Sequence, residues 1–137
     1  MPWNYEHNPS LRIIEVRYSG VVSAQELQES TTELIKLQKA SGVNRLLVDA
    51  TEISLAASLA DLYGLPAEQY PEEGADRASR LALILPSAAK ERKAAQFYET
   101  ACRNRGWNVK AFSGQREAIE WLVPDAASKG SERGDSR

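Results

Sequence analysis

The sequence predicts a single α/β domain, with a mixed, mostly parallel sheet of about five strands and four helices. Two observations carry that expectation. The runs "RLLVDAT" (45–51) and "RLALILP" (80–86) are short and continuously apolar, the pattern of strands covered on both faces. They are separated by sequence at helical spacing, and that alternation implies parallel crossovers. With 137 residues, 42% of them apolar, the chain can bury one core, placed here over 1–123 with 124–137 as a tail.

Each element has its own signal. "RIIEVRYSG" (12–20) sets Ile14, Val16 and Tyr18 on alternate positions and predicts a strand ending in a turn at Gly20. The preceding "WNYEHN" reads as its partner strand, with "NPS" as the turn. "SAQE" (23–26) is a capping box, and Leu27, Thr31, Leu34 and Ile35 follow on one helical face until Gly42, giving a helix over 23–41. The next helix has two candidate starts, Ser54 and Ser58. Asp61 completes a capping box from Ser58, which favours that start and leaves "EISLAA" as a connecting turn.

The stretch 64–78, with two prolines and two glycines, predicts a long loop. "SAAKERKAAQFYETACRNRG" predicts a helix with Ala94, Phe97, Tyr98 and Ala101 on its apolar face, Ser87 as its cap and Gly106 as its stop. "WNVKAF" (107–112) alternates as a last strand. "GQREAIEWL" closes the domain as a short helix capped by Ser113 and ended by Pro124. From Asp125 onward no aromatic or branched apolar residue is present, and a disordered tail is expected.

The bulk numbers narrow the function. A net charge of −2 supplies no field for nucleic acid or an anionic membrane, so neither is expected as a partner. One cysteine and one histidine cannot build a Cys/His metal cage, and no cofactor is expected. No apolar run is long enough for a membrane span, and no leader pattern opens the chain, which together point to a cytoplasmic protein. Phosphate-loop, dinucleotide, zinc-protease and nucleophile-elbow motifs are all missing, and the protein reads as non-enzymatic.

The residual chemistry is sparse. His7 stands alone, without an orienting partner, in a flexible N-terminal stretch. Cys102 lies beside an apolar helix face and reads as a small buried hydrophobe; a small enzyme using Cys102 or Asp49 is the remote alternative. Arg92 and Arg103 share an outward helix face with Gln96 and Glu99. Phe97, Tyr98, Trp107, Phe112 and Trp121 have core-like spacing. Asp49, closing a buried strand, is placed at the carboxyl edge of the sheet, where it either caps the amides of "ATE" or meets a ligand.

Taken together, "YSGVVSAQEL", "LLVDATE", "RLALILP", "FYETACRNRGWNVKAF" and "EAIEWL" resemble the STAS fold, and more closely the SpoIIAA-like family, over about residues 10–123. The resemblance implies a regulatory domain that binds a protein partner. It sets Asp49 on the strand aspartate of phosphorylated antagonists and Ser58 on their phosphorylated serine. Ala57 stands where those antagonists have an aspartate, and Ala60 where a glycine is usual. Ser58 therefore has two readings, a plain helix cap and a phosphorylation site.

The expectation carried forward is a binding surface for a protein partner or small ligand, formed by Asp49, Thr51, Ser58, Tyr63 and Ser87. A homodimer stays open. The alternative is a carrier of lipid or another apolar ligand, against which stands the lack of extra helices to close a large cavity.

Overall fold

The computed structural model describes residues 2–124, and the expected tail lies outside them from Asp125 onward. Strand β1 (Trp3–Asn8) pairs antiparallel with β2 (Ile13–Ser23), across a turn in which the Asn8 side chain accepts from the Leu11 amide at 3.1 Å. Helix α1 (Ala24–Ser41), β3 (Arg45–Ala56), a helical arm, β4 (Arg80–Ile84), α4 (Ala89–Asn104), β5 (Asn108–Phe112) and α5 (Gln115–Leu122) follow. The arm comprises α2 (Leu59–Gly64), a π-helical turn (Leu65–Gln69) and α3 (Tyr70–Glu72). Counted as one unit, it completes, among the described residues, four helical elements packed on a five-stranded sheet.

The spatial order β1-β2-β3-β4-β5 equals the chain order, and β2 to β5 run parallel. Every parallel step moves the same way along the sheet, so right-handed crossovers put α1, the arm and α4 on one face. The core divides accordingly. Ile14, Val16, Val22, Leu34, Val48, Leu62, Leu83, Tyr98 and Trp107 fill that face. Ile13, Leu47, Ala82, Ile84, Ala118 and Leu122 fill the other, under α5 alone. Ile14, Val16 and Val22 are among the fully buried side chains, each contributing roughly 1.5–3 kcal/mol by leaving water.

Several local expectations change. Gly20 does not end its strand: with φ +74° it bends β2, which runs on to Ser23. "EISLAA" is not a turn, because Glu52 to Ala56 continue β3 as the partner of Ser19 to Ser23. The two strands thus project beyond the β3–β4 pairing, which stops at Asp49 and Ile84. Between Arg17 and Ser19 on β2, three steps of β3 oppose two, a bulge at Ala50 and Thr51. The bulge reverses the side-chain alternation: Leu46, Val48 and Ala50 face the helices before it, Ile53 and Leu55 after it.

The 64–78 loop is largely helical, since the arm carries on through Pro66 and Pro71, each seated in a first turn that needs no donor. Phe97 is 37% exposed, because the buried stripe of α4 centres on Ala94, Tyr98 and Cys102, and Phe97 lies about 100° round from Tyr98. Ser113 does not cap α5. The cap position is Gly114, and the Ser113 hydroxyl instead lies 3.5 Å from Arg92. The capping box at Ser23 and Glu26 and the left-handed Gly42 stop of α1 are found as expected.

Candidate functional site

Of the five expected surface residues, three meet. The Asp49 carboxylate accepts from the Thr51 amide at 2.9 Å and its hydroxyl at 2.5 Å. That amide belongs to the bulge, so the aspartate satisfies a donor that the ladder leaves out. The Thr51 carbonyl in turn accepts from the Ser87 amide at 3.1 Å. Asp49 also faces Arg17 at 3.4 Å, a solvent-accessible pair. Asp49 closes the β3–β4 pairing rather than β3 itself, which corrects its place at the strand end.

Ser58 is the N-cap of α2, which decides between the two candidate starts. Its hydroxyl accepts from the Asp61 amide at 3.1 Å, and its amide donates to the Asp61 carboxylate at 2.8 Å. Donation to that carboxylate, from the Ser58 amide first and from its hydroxyl, at 2.9 Å, second, holds the Asp61 carboxyl below the ordinary carboxylate value. A depressed pKa means this contribution is present above about pH 4 and is lost as pH falls through the folded value. Acid titration followed by amide chemical shifts is expected to show α2 fraying from Ser58 before the sheet responds.

Ser87 does not cap α4. That helix begins one residue later, with extended Ala88 at the cap position and no side-chain bond. The N-terminal turn of α4 instead supplies Glu91, only 9% exposed, whose carboxylate accepts from the Leu55 amide at 3.1 Å. Tyr63 lies elsewhere: its hydroxyl accepts from Arg105 at the C-terminal end of α4. It borders a surface hollow with Pro66, Arg77 and Asn104. His7 is exposed on β1, in a strand rather than a flexible stretch. Arg103 pairs with Glu99 at 3.9 Å.

A second feature is one the sequence did not announce. A partly open cleft of about 160 Å³ lies between α1, the arm, α4 and the sheet. Helix α1 meets the sheet mainly along β2, so the faces of β3 and β4 beside it are left to floor the gap. Leu34, Val48, Leu55, Leu62, Leu83 and Ala95 are among its lining groups. Protein interiors hold few voids larger than a water, so a space of this size is not ordinary packing. Ile53 and Leu55 reach it because the bulge turned them inward.

Three tyrosines stand among the polar residues that line this cleft, beside Thr31, Gln38, Asp76, Ser79 and Asn108. Tyr18 and Ser30 share a buried bond of 2.6 Å, and the Tyr70 and Tyr98 hydroxyls share one of 2.5 Å. Burial pushes Tyr70 and Tyr98 well above the ordinary phenol value, and raises Tyr18 despite the opposing bond to Ser30. Cys102, fully buried beside Tyr98, is pushed up to about 12 by burial. Its thiol is therefore neutral and shielded. A thiol reagent near neutral pH is expected to leave Cys102 unmodified in the native protein and to modify it fully after denaturation; native labelling would refute this.

Among the described residues no cluster of three histidine, cysteine or acidic side chains is arranged to hold a metal, and no helix is long and apolar enough to cross a membrane. A family model described as SpoIIAA-like matches residues 13–123. Among solved structures, an uncharacterized protein of the DUF3478 family with a SpoIIAA-like fold, from Shewanella loihica PV-4, is similar at 21% identity. Its TM-score is 0.54, over 88% of this chain and 91% of that one. The anti-sigma factor antagonist SpoIIAA in its unphosphorylated form is similar at 21% identity with TM-score 0.53, over 88% and 96%. Both likenesses concern the fold. No protein of curated function matches the sequence.

Proposed function

The chain belongs to the SpoIIAA-like family, and on that premise we propose that it is a non-enzymatic STAS-type binding domain whose ligand is a small apolar molecule held in the cleft beneath α1. The observation that carries this reading is the cleft itself, a built apolar space in an otherwise close-packed domain. It supports the apolar-ligand alternative raised from the sequence. Extra helices are not required, because the standing-off of α1 and the arm creates the space.

The test is to fill it. Thr31 on α1 and Ala95 on α4 both line the cleft and are only partly buried. Thr31→Phe and Ala95→Phe place a ring in the space. Native mass spectrometry and solvent extraction of the wild-type protein are expected to find a bound apolar compound that both variants lack. Equal loading of wild type and variants, or no bound compound in any of them, would refute the reading.

A second reading keeps the regulatory surface, favoured by the Asp49–Thr51–Ser87 assembly and, separately, by the exposed Ser58 at the start of α2. A phosphate on Ser58 would displace the cap bond and face the Asp61 carboxylate, releasing the start of α2. Ser58→Ala removes the cap and costs about 1 kcal/mol of stability. Under this reading Asp49→Ala or Ser58→Ala reduces capture of a protein partner from the native cell by more than the stability loss explains. An unaltered partner set, with no phosphate on Ser58 by mass spectrometry, would count against it.

A further inference from the structure

We infer that the molecule this cleft takes is electrically neutral, carries a hydroxyl group, and has about the bulk of one substituted ring, its hydroxyl held by the tyrosines of the cleft. The inference rests on the reading of the cleft as a ligand site and adds what kind of ligand it selects.

Charge is the first argument. Among the described residues no lysine, arginine or histidine lines the cleft, and the one charged lining residue is Asp76. A carboxylate or phosphate entering the space would lose its hydration without gaining a cation, and would meet a negative charge at the wall. The anionic head of a fatty acid is thereby rejected.

Hydrogen-bond inventory is the second. The Ser30 hydroxyl donates to the Leu27 carbonyl at 3.0 Å, so its only proton is committed. Tyr18 must then be the donor in its bond to Ser30. The lone pairs of the Tyr18 oxygen have no donor among the described residues. Tyr70 and Tyr98 share one bond between two hydroxyls, which leaves the second proton either with no acceptor or with the weakly accepting Cys102 thiol. Unfilled acceptors and a spare donor inside an apolar wall suit a ligand hydroxyl, which both donates and accepts. All three tyrosines line the cleft, and burial keeps them neutral, so they offer hydrogen bonds without offering charge.

Size is the third. An apolar cavity of roughly 150 Å³ in another protein stays dry and holds benzene. At about 160 Å³ this cleft has room for a ring with one small substituent.

The experiment titrates the full chain, near neutral pH, with toluene, p-cresol and p-toluate, reading amide chemical shifts. The three probes share a methylated ring and differ in carrying no head group, a neutral hydroxyl or an anion. The expected order is p-cresol tighter than toluene by about three- to tenfold, with p-toluate at least tenfold weaker than p-cresol. Tyr70→Phe and Tyr98→Phe remove one hydroxyl each and keep the ring. They are expected to erase most of the advantage of p-cresol while leaving toluene unchanged, and toluene binding reports that the cleft is intact. The inference is overturned if p-toluate matches p-cresol. It is equally overturned if p-cresol never exceeds toluene, or if its advantage survives both variants. If none of the three probes binds, the cleft reading falls with it; if toluene binds without preference, only the present inference does.

Discussion

Replacing Trp107 by alanine is expected to lower the stability of the domain by about 3–5 kcal/mol, and its melting temperature by about 10–20 °C. Three kinds of contact converge on this ring. It is 7% exposed, so nearly all of its apolar surface leaves water. Tyr70 meets it edge-on at 5.4 Å, and the Arg77 guanidinium lies over its face at 3.9 Å from the centroid. Its indole N–H donates to the Pro66 carbonyl at 3.1 Å. Those partners all belong to the arm or the turn after it, whereas Trp107 opens onto β5. The indole is the bolt between them.

Trp107→Ala therefore leaves a cavity beside the cleft and an unpaired carbonyl in the arm. Hydrogen exchange is expected to show amides of residues 59–75 losing protection more than those of β2 and β3. Trp107→Phe, which keeps much of the ring and loses the N–H, is expected to fall between the two. A loss below about 1 kcal/mol, or a loss spread evenly over the sheet, would show that the arm is anchored elsewhere.

Glu91→Leu is the second large effect, expected to cost about 1–3 kcal/mol. The leucine retains apolar bulk in the buried first turn of α4 but removes the acceptor of the Leu55 amide. That amide lies on the stretch of β3 that has passed the end of β4 and finds no strand partner on this side. Glu91→Gln keeps an acceptor oxygen and is expected to recover most of the loss. Native-state exchange at Leu55 distinguishes the cases: it should accelerate in the leucine variant and stay slow in the glutamine variant. Equal exchange in both would remove Glu91 from this role.

Much of the architecture was legible in the sequence because its determinants are local. The capping boxes at Ser23 and Ser58 each need only four consecutive residues, and both form as read. "RLLVDAT" and "RLALILP" carry their two-sided burial in their composition, and both are parallel strands. The hairpin before Ile13 followed from alternation in "RIIEVRYSG" and the turn residues "NPS" ahead of it. The errors fall where a local signal competes with a distant partner. "EISLAA" has the small and polar residues of a turn, yet β2 continues beside it and draws it into the sheet. Gly64, Pro66, Pro71 and Gly74 read as loop formers, but the prolines fall at first-turn positions and Trp107 ties the segment down.

The candidate site divides in the same way. Asp49 as a cap for the following amides needed only its neighbour Thr51. Ser87 failed as a helix cap through a shift of one residue, too fine for pattern reading. Tyr18 and Tyr98 stand on largely apolar stripes in the sequence, whereas Tyr70 lies among Glu68, Gln69, Glu72 and Glu73 and carries no such signal. Nothing local indicated that the three would meet.

By itself, then, the sequence determined the α/β class, the order of strands and helices, the helix start at Ser23 and the burial of Cys102, and it favoured Ser58 over Ser54 as the start of α2. Each depends on periodicity, capping chemistry or composition within a few residues. Only the tertiary structure decided that β3 bulges at Thr51 and turns Ile53 and Leu55 inward. It alone decided that α1 stands away from β3 and β4, and that Tyr18, Tyr70 and Tyr98 line the resulting space. Those features depend on contacts between segments tens of residues apart, where the packing of one element sets the environment of another and no short pattern records the outcome.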